Sequence, residues 1–218
     1  MKNTLYVVGD SFSAKYNYNE NIDSAYNRYR IFKGGTLPKT WSELLADELN
    51  LNLVNLAVSG NSNYQIMDDF CKVSKTITKN DLLFVGWTDT MRFRLYSEKS
   101  KQFIRVNLNG WDEYLPNVSP DTIKEMTVNR SDDYWTNEIY SWENVIYRLS
   151  NVIGFKLNIW SFFEQFHNHN ILQVLLKNGA TRLFEETNGE ITDAHFGEKG
   201  HQIQFEYFLN NIKNPKLI

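Results

Sequence analysis

Two short stretches, far apart in the chain, hold residue types that could transfer an acyl group. Gly9-Asp10-Ser11-Phe12-Ser13 places a hydroxyl in a turn just after the apolar run Leu5–Val8. Serine attack on a carbonyl needs an exposed hydroxyl on a tight turn, with a backbone N–H free to face the developing oxyanion. Asp193-Ala194-His195-Phe196-Gly197 places an imidazole just before a helix, with a carboxylate two residues away. Such a carboxylate can fix the ring tautomer and stabilise the imidazolium. Each stretch alone is also an ordinary turn or cap, and the combination is the more specific signal.

Other reactive residue types are read more plainly. Asp10 is expected to bond its own turn rather than touch a substrate, and Ser13 to cap a loop or helix. His201 lies six residues beyond His195 but lacks its acid and its turn. His167-Asn168-His169 offers two imidazoles without a matching third and fourth ligand, so no metal site is expected. Arg92 and Arg94 are expected in structural ion pairs, with steering of an anionic substrate as the alternative. Tyr16, Tyr18, Tyr26 and Tyr29 would either stack on sugar rings or pack over the core. Cys71 follows Met67 and Phe70 in a helical pattern and reads as a small core residue.

The elements that must position these groups alternate strand and helix. Leu5–Val8 reads as a buried strand ending at Gly9. Residues 13–37 are polar and read as a long loop closed by Gly34-Gly35. Pro38 opens a helix carrying Trp41, Leu44, Leu45 and Leu49. Leu53–Val58 is a second strand, ending in Ser59-Gly60-Asn61-Ser62, and Ile66, Met67, Phe70 and Val73 follow at helical spacing. Asp81–Trp87 is a third strand. Residues 90–131 look irregular, with turns marked by Trp111, Pro116 and Pro120. Asp132 or Asp133 caps a helix through Trp142, Val145, Ile146 and Leu149. Phe155–Trp160 alternates as a fourth strand. A helix around Ile171–Leu176, a short strand near Arg182–Phe184 and a last helix from about Glu198 complete the reading. Such alternation implies parallel strands with crossover helices, and ligands then bind at the carboxyl ends of the strands.

In order and spacing these turns resemble the blocks of the SGNH (GDSL-type) hydrolase family. Gly9-Asp10-Ser11-Phe12-Ser13 looks like the first block, Gly60-Asn61-Ser62 the second, Gly86-Trp87-Thr88-Asp89 the third and Asp193-Ala194-His195 the last. The match spans nearly the whole chain. The resemblance implies a three-layer α/β/α sandwich around a central parallel sheet, of SGNH-hydrolase or flavodoxin-like type, forming one domain over residues 1–218. It implies Ser11 as nucleophile, His195 as general base and Asp193 as its orienting acid. Oxyanion donors would be the backbone N–H groups of Ser11 and Gly60, helped by Thr88 or Asn61. Two departures stand out. Thr88 occupies the position where the family usually carries Asn, and the usual Asp-x-x-His is shortened to Asp-x-His, with Thr192 at the usual acid position.

The expected function is therefore a serine esterase acting on a small ester, with acetyl groups on a carbohydrate as the first substrate class. The alternative is a non-catalytic binding or structural module of the same fold, on a phage or other particle. A lipase or thioesterase would need a greasier tunnel than these loops offer. No cofactor is expected. Over 218 residues the chain is 42% hydrophobic, 22% charged and 15% aromatic, enough for a real core. A net charge of −3 without a basic block gives no support to a nucleic-acid partner. One cysteine excludes an internal disulfide. The run before Gly9 is too short for a signal-peptide core and no stretch reaches membrane-span length, so a cytoplasmic protein is expected, with release by lysis or carriage on a virion open.

Overall fold

A computed structural model of the chain describes residues 2–16, 23–90, 92–97, 101–107 and 132–214. Its centre is a four-stranded parallel sheet built from β1 (Thr4–Val8), β2 (Asn52–Asn55), β3 (Leu82–Trp87) and, later in the chain, a strand over Lys156–Ser161. Between β3 and that strand lies an antiparallel pair, β4 (Arg92–Ser97) and β5 (Gln102–Asn107), which makes the sheet's last strand β6. The sheet order is β2-β1-β3-β6. Every residue of β3 is buried, as expected of an inner strand covered on both faces.

Helices are α1 (Ala25–Phe32), α2 (Trp41–Glu48), α3 (Asn63–Val73), α4 (Asp132–Ile153), α5 (Leu172–Lys177), α6 (Leu183–Glu186) and α7 (Glu198–Lys213). Their starts are written in the sequence. Ser24 Oγ accepts from Asn27 N at 3.2 Å, Ser62 Oγ accepts from Gln65 N at 3.4 Å, and Thr40 forms a capping box with Glu43.

Alternating residues of the strands divide the core between two helical layers. Leu5, Val7, Phe84 and Trp160 face Trp41 and Leu45 of α2 and Phe208 of α7, with Trp41 and Phe208 ring centroids 4.7 Å apart. Tyr6, Val8, Leu83, Val85 and Trp87 face Ile66 and Phe70 of α3 and Ile139 and Ile146 of α4.

Several local expectations need correction. Residues 13–37 contain α1, whose apolar positions were hidden among Tyr, Asn and Arg. Within the stretch read as irregular, Arg92–Ser97 and Gln102–Asn107 pair as antiparallel strands. The regular second strand covers Asn52–Asn55, but its backbone keeps bonding alongside β1 to residue 58, with Leu56 N donating to Val7 O at 2.8 Å and Val58 N to Gly9 O at 3.2 Å. Arg182–Phe184 is not a strand. Arg182 makes one isolated bridge with Phe196 and then starts α6. Cys71 is exposed, on the outer side of α3. Trp111, Pro116, Pro120 and Tyr18 lie outside the described residues. Among the described residues no helix is long and apolar enough to cross a membrane.

Candidate active site

The sheet order reverses between β1 and β3, since β1 is followed by β2 on one side and β3 lies on the other. A crevice opens at the carboxyl ends of strands at such a point. The Ser11 turn leaves β1 there, and Thr88 leaves β3 beside it.

The Ser11 turn is a tight one. The amides of Ser13 and Ala14 both donate to Asp10 O at 3.0 Å, and Asp10 Oδ1 accepts from Phe12 N at 3.0 Å. Trp41 Nε1 donates to Phe12 O at 3.1 Å and Asn55 Nδ2 to Ser13 O at 2.7 Å, so α2 and β2 clamp the turn from outside. Gly86 lets β3 pass beneath it. A Cβ there would stand 2.8 Å from the Trp160 ring and 2.9 Å from Ser13 Oγ. Ser13 is fully buried and belongs to the floor of the turn.

Gly60 follows with φ at 75°, a left-handed conformation that suits glycine. Among the described residues, the backbone N–H groups of Ser11 and Gly60 have no acceptor. Asn61 is wholly buried and its Nδ2 donates to Gly9 O at 3.0 Å. It ties the second turn to the first, which differs from the expectation that it faces an oxyanion.

Thr88 also differs from its expected role. Its Oγ1 donates to Asp10 Oδ2 at 2.8 Å, and its amide donates to Asn63 Oδ1 at 2.8 Å. A hydroxyl has one hydrogen, so none is left for a substrate oxygen. The same Asp10 oxygen accepts from Arg92 Nη1 at 3.0 Å, an ion pair with the carboxylate almost fully buried. Asp10 is therefore the hub of the turn, as its sequence context suggested, and Arg92 is its counter-charge. Arg94 pairs with Asp68.

His195 approaches from the other side. Asp193 Oδ1 accepts from the His195 amide at 2.7 Å and lies 2.6 Å from His195 Nδ1. Shortening the motif to two residues lets one oxygen hold both the backbone and the ring. Burial works to raise the Asp193 carboxyl, but the ring and backbone bonds from His195, with the His195 and Arg28 charges, hold it below its ordinary value. That leaves Nε2 as the free ring nitrogen. Leu183 N donates to His195 O at 2.8 Å, which fixes the loop to α6.

Phe12 and Tyr26 bring the two motifs together. The Phe12 ring lies 5.0 Å from the His195 ring, and the Tyr26 ring 6.0 Å from it. Burial pushes the Tyr26 phenol well above its ordinary value, and the Asp193 and Asp10 carboxylates push the same way, so one neutral phenol senses an acid from each motif. No hydrogen bond joins Ser11 Oγ to His195 among the described residues. Catalytic bonds commonly close only on substrate binding.

The remaining candidates sit elsewhere. His201 is buried under the His195 loop, and burial first, then the His195 charge, pushes it down to about 3, so it stays neutral. His169 Nε2 is 3.1 Å from Glu143 Oε2, in a joint between α4 and the segment after β6. Tyr16 and Tyr29 pack with Leu183 and Ile191 in a small core of their own. Arg92 and Tyr26 had no motif to announce their place in the site, while Phe12 lies inside the first block without a role assigned to it. Arg92 carried one usable signal, a cation four residues after the third turn. No model of a known protein family matches this chain, and no curated protein sequence matches it.

Proposed function

We propose that this protein is a serine esterase of the SGNH type, with a three-layer α/β/α fold of flavodoxin-like strand order. The observation that carries the reading is the convergence of the Ser11 turn with the Asp193–His195 pair at the strand-order reversal, through the 5.0 Å contact of the Phe12 and His195 rings. Ser11 Oγ attacks the ester carbonyl and His195 Nε2 takes its proton. The carbonyl π electrons move to oxygen, which rests on the free Ser11 and Gly60 amides. Collapse expels the alcohol, which takes the proton back from His195, and water then repeats the sequence on the acyl-enzyme. A rim of Tyr26, Phe12 and polar side chains suits an acetylated carbohydrate, which is the proposed substrate class.

The test is turnover of a short-chain acetyl ester by wild type and Ser11→Ala, beside thermal melts of both. Ser11 lies on a turn and not in either core, so Ser11→Ala should abolish turnover and melt within a few degrees of wild type. Equal turnover by the two proteins would remove Ser11 from the chemistry.

A second reading is a non-catalytic module of the same fold. The commitment of the Thr88 hydroxyl to Asp10 favours it, because one expected oxyanion donor is absent. Wild-type turnover no higher than Ser11→Ala on a panel of acetylated sugars would select this reading.

A further inference from the structure

We propose that Arg92 supplies the third oxyanion donor of this site, through the guanidinium N–H groups that Asp10 does not engage. The inference rests on the esterase reading and adds a residue to it.

Arg92 begins β4, and its amide donates to Asp89 O at 3.2 Å, a turn that brings it back over the end of β3. Its Nη1 donates to the Asp10 oxygen that also receives Thr88 Oγ1. The other oxygen of that carboxylate holds the Phe12 amide, one residue past Ser11. On its far side the guanidinium lies 5.8 Å from the Phe163 ring, just beyond the end of β6. Its contacts therefore lie at the carboxyl ends of β1, β3 and β6, the end of the sheet from which the Ser11 turn leaves.

Three physical points favour a catalytic role over a purely structural pair. A guanidinium has five N–H donors in a fixed plane, and among the described residues only one of its nitrogens is engaged. The side chain keeps 18% of its surface exposed while Asp10 keeps 3%, so the guanidinium remains reachable from outside and the carboxylate does not. Anchoring at Asp10 and at Phe163 holds the plane in place before reaction, and preorganised donors are the ones that stabilise developing charge. Asp10 thus acts as a positioning residue, and the short Thr88 side chain leaves room at the end of β3 for the arginine to reach it.

The experiment measures kcat and KM of wild type, Arg92→Gln, Arg92→Lys and Ser11→Ala on a neutral acetyl ester. A neutral substrate removes any steering of a charged group. Arg92→Gln should lower kcat by about 10²–10³-fold with KM within a few fold, the pattern of a lost transition-state contact. Arg92→Lys should fall in between, and added guanidinium ion should restore part of the Arg92→Gln activity. Binding of a trifluoromethyl ketone, which forms a tetrahedral oxyanion on serine, should weaken in parallel with kcat. If Arg92→Gln proves unfolded, Asp10→Asn/Arg92→Gln removes the stranded carboxylate charge and carries the same expectation. Wild-type-like kcat in a folded Arg92 variant, with Ser11→Ala inactive, would overturn the role of Arg92 and leave the esterase reading intact. A rise in KM alone would also overturn it. Wild-type turnover no higher than Ser11→Ala would overturn both together.

Discussion

Replacing Thr88 with valine tests whether its hydroxyl serves the fold or the chemistry. The Thr88 Oγ1–Asp10 Oδ2 bond is 2.8 Å long and wholly buried, and its acceptor is the carboxylate that pairs with Arg92. Bonds to charged groups contribute roughly 1.5–3 kcal/mol net. Valine keeps the shape, and Arg92 still holds the Asp10 oxygen at 3.0 Å, so the carboxylate is not stranded. The expected cost is therefore about 1–3 kcal/mol. For a domain of this length each kcal/mol moves the melting point by roughly 2–4 °C, so Thr88→Val should melt lower by about 2–12 °C. Turnover by the folded variant should stay within about tenfold of wild type, because no substrate contact is lost. Calorimetric melts and initial rates on an acetyl ester, taken well below the transition, check both numbers. A hundredfold loss of turnover with an unchanged melt would refute the reasoning and return the hydroxyl to the oxyanion. A double-mutant cycle with Arg92→Lys should show coupling, since both donors share one oxygen.

Further predictions concern the two imidazoles and the Asp193 carboxyl. Asp193→Asn should lower turnover on the order of 10²–10⁴-fold, since an amide no longer fixes the ring tautomer or stabilises its charge; turnover within threefold of wild type would show that His195 works without its acid. The Asp193 carboxyl titrates below its ordinary value, so its stabilising effect should be present at neutral pH and disappear as pH falls below about 4. His201 acts with the same sign at higher pH: its pKa is pushed down to about 3, against about 6.5 unfolded, so the unfolded chain binds the extra proton between those values. Its contribution should be full above about pH 6.5 and should fall by about 1.4 kcal/mol per pH unit on acidification. Denaturant titrations from pH 7 to 5 should show a shallower slope in His201→Phe than in wild type, and equal slopes would show that His201 can protonate in the folded state.

The parallel sheet was legible because its two inner strands are apolar runs closed by Gly9 and Gly86. Leu82–Val85 and Leu5–Val8 read directly as inner strands, and both turned out buried. Residues 25–32 were not legible as a helix, because Tyr29 is their one fully buried large side chain and no periodic apolar stripe forms around it. The antiparallel pair Arg92–Ser97 and Gln102–Asn107 was missed since Arg92 and Arg94 interrupt the apolar pattern. Both arginines answer carboxylates, Asp10 and Asp68, that are distant in sequence. The tight turn at Ser11 and the pairing of Asp193 with His195 were legible by residue type and spacing. The partner of the Thr88 hydroxyl was not, because a motif gives the order of groups along the chain and not which acceptor a single hydrogen will choose.

The small core of Tyr29, Leu183 and Ile191 carries a consequence for how the protein is assembled. Tyr29 Oη donates to Glu186 Oε2 at 2.6 Å and accepts from the Glu198 amide at 2.8 Å, joining α1 to the first turn of α7. Tyr16 Oη reaches Phe196 O across 180 residues of sequence. Closing so long a loop loses chain entropy before any contact compensates it, which delays its formation. The cleft wall between α1 and the His195 loop is thus a seam expected to close after the sheet has condensed. A chain that has ordered β1, β3 and the Ser11 turn still lacks the Asp193–His195 pair beside it, so under the proposed mechanism competence would arrive only with the seam.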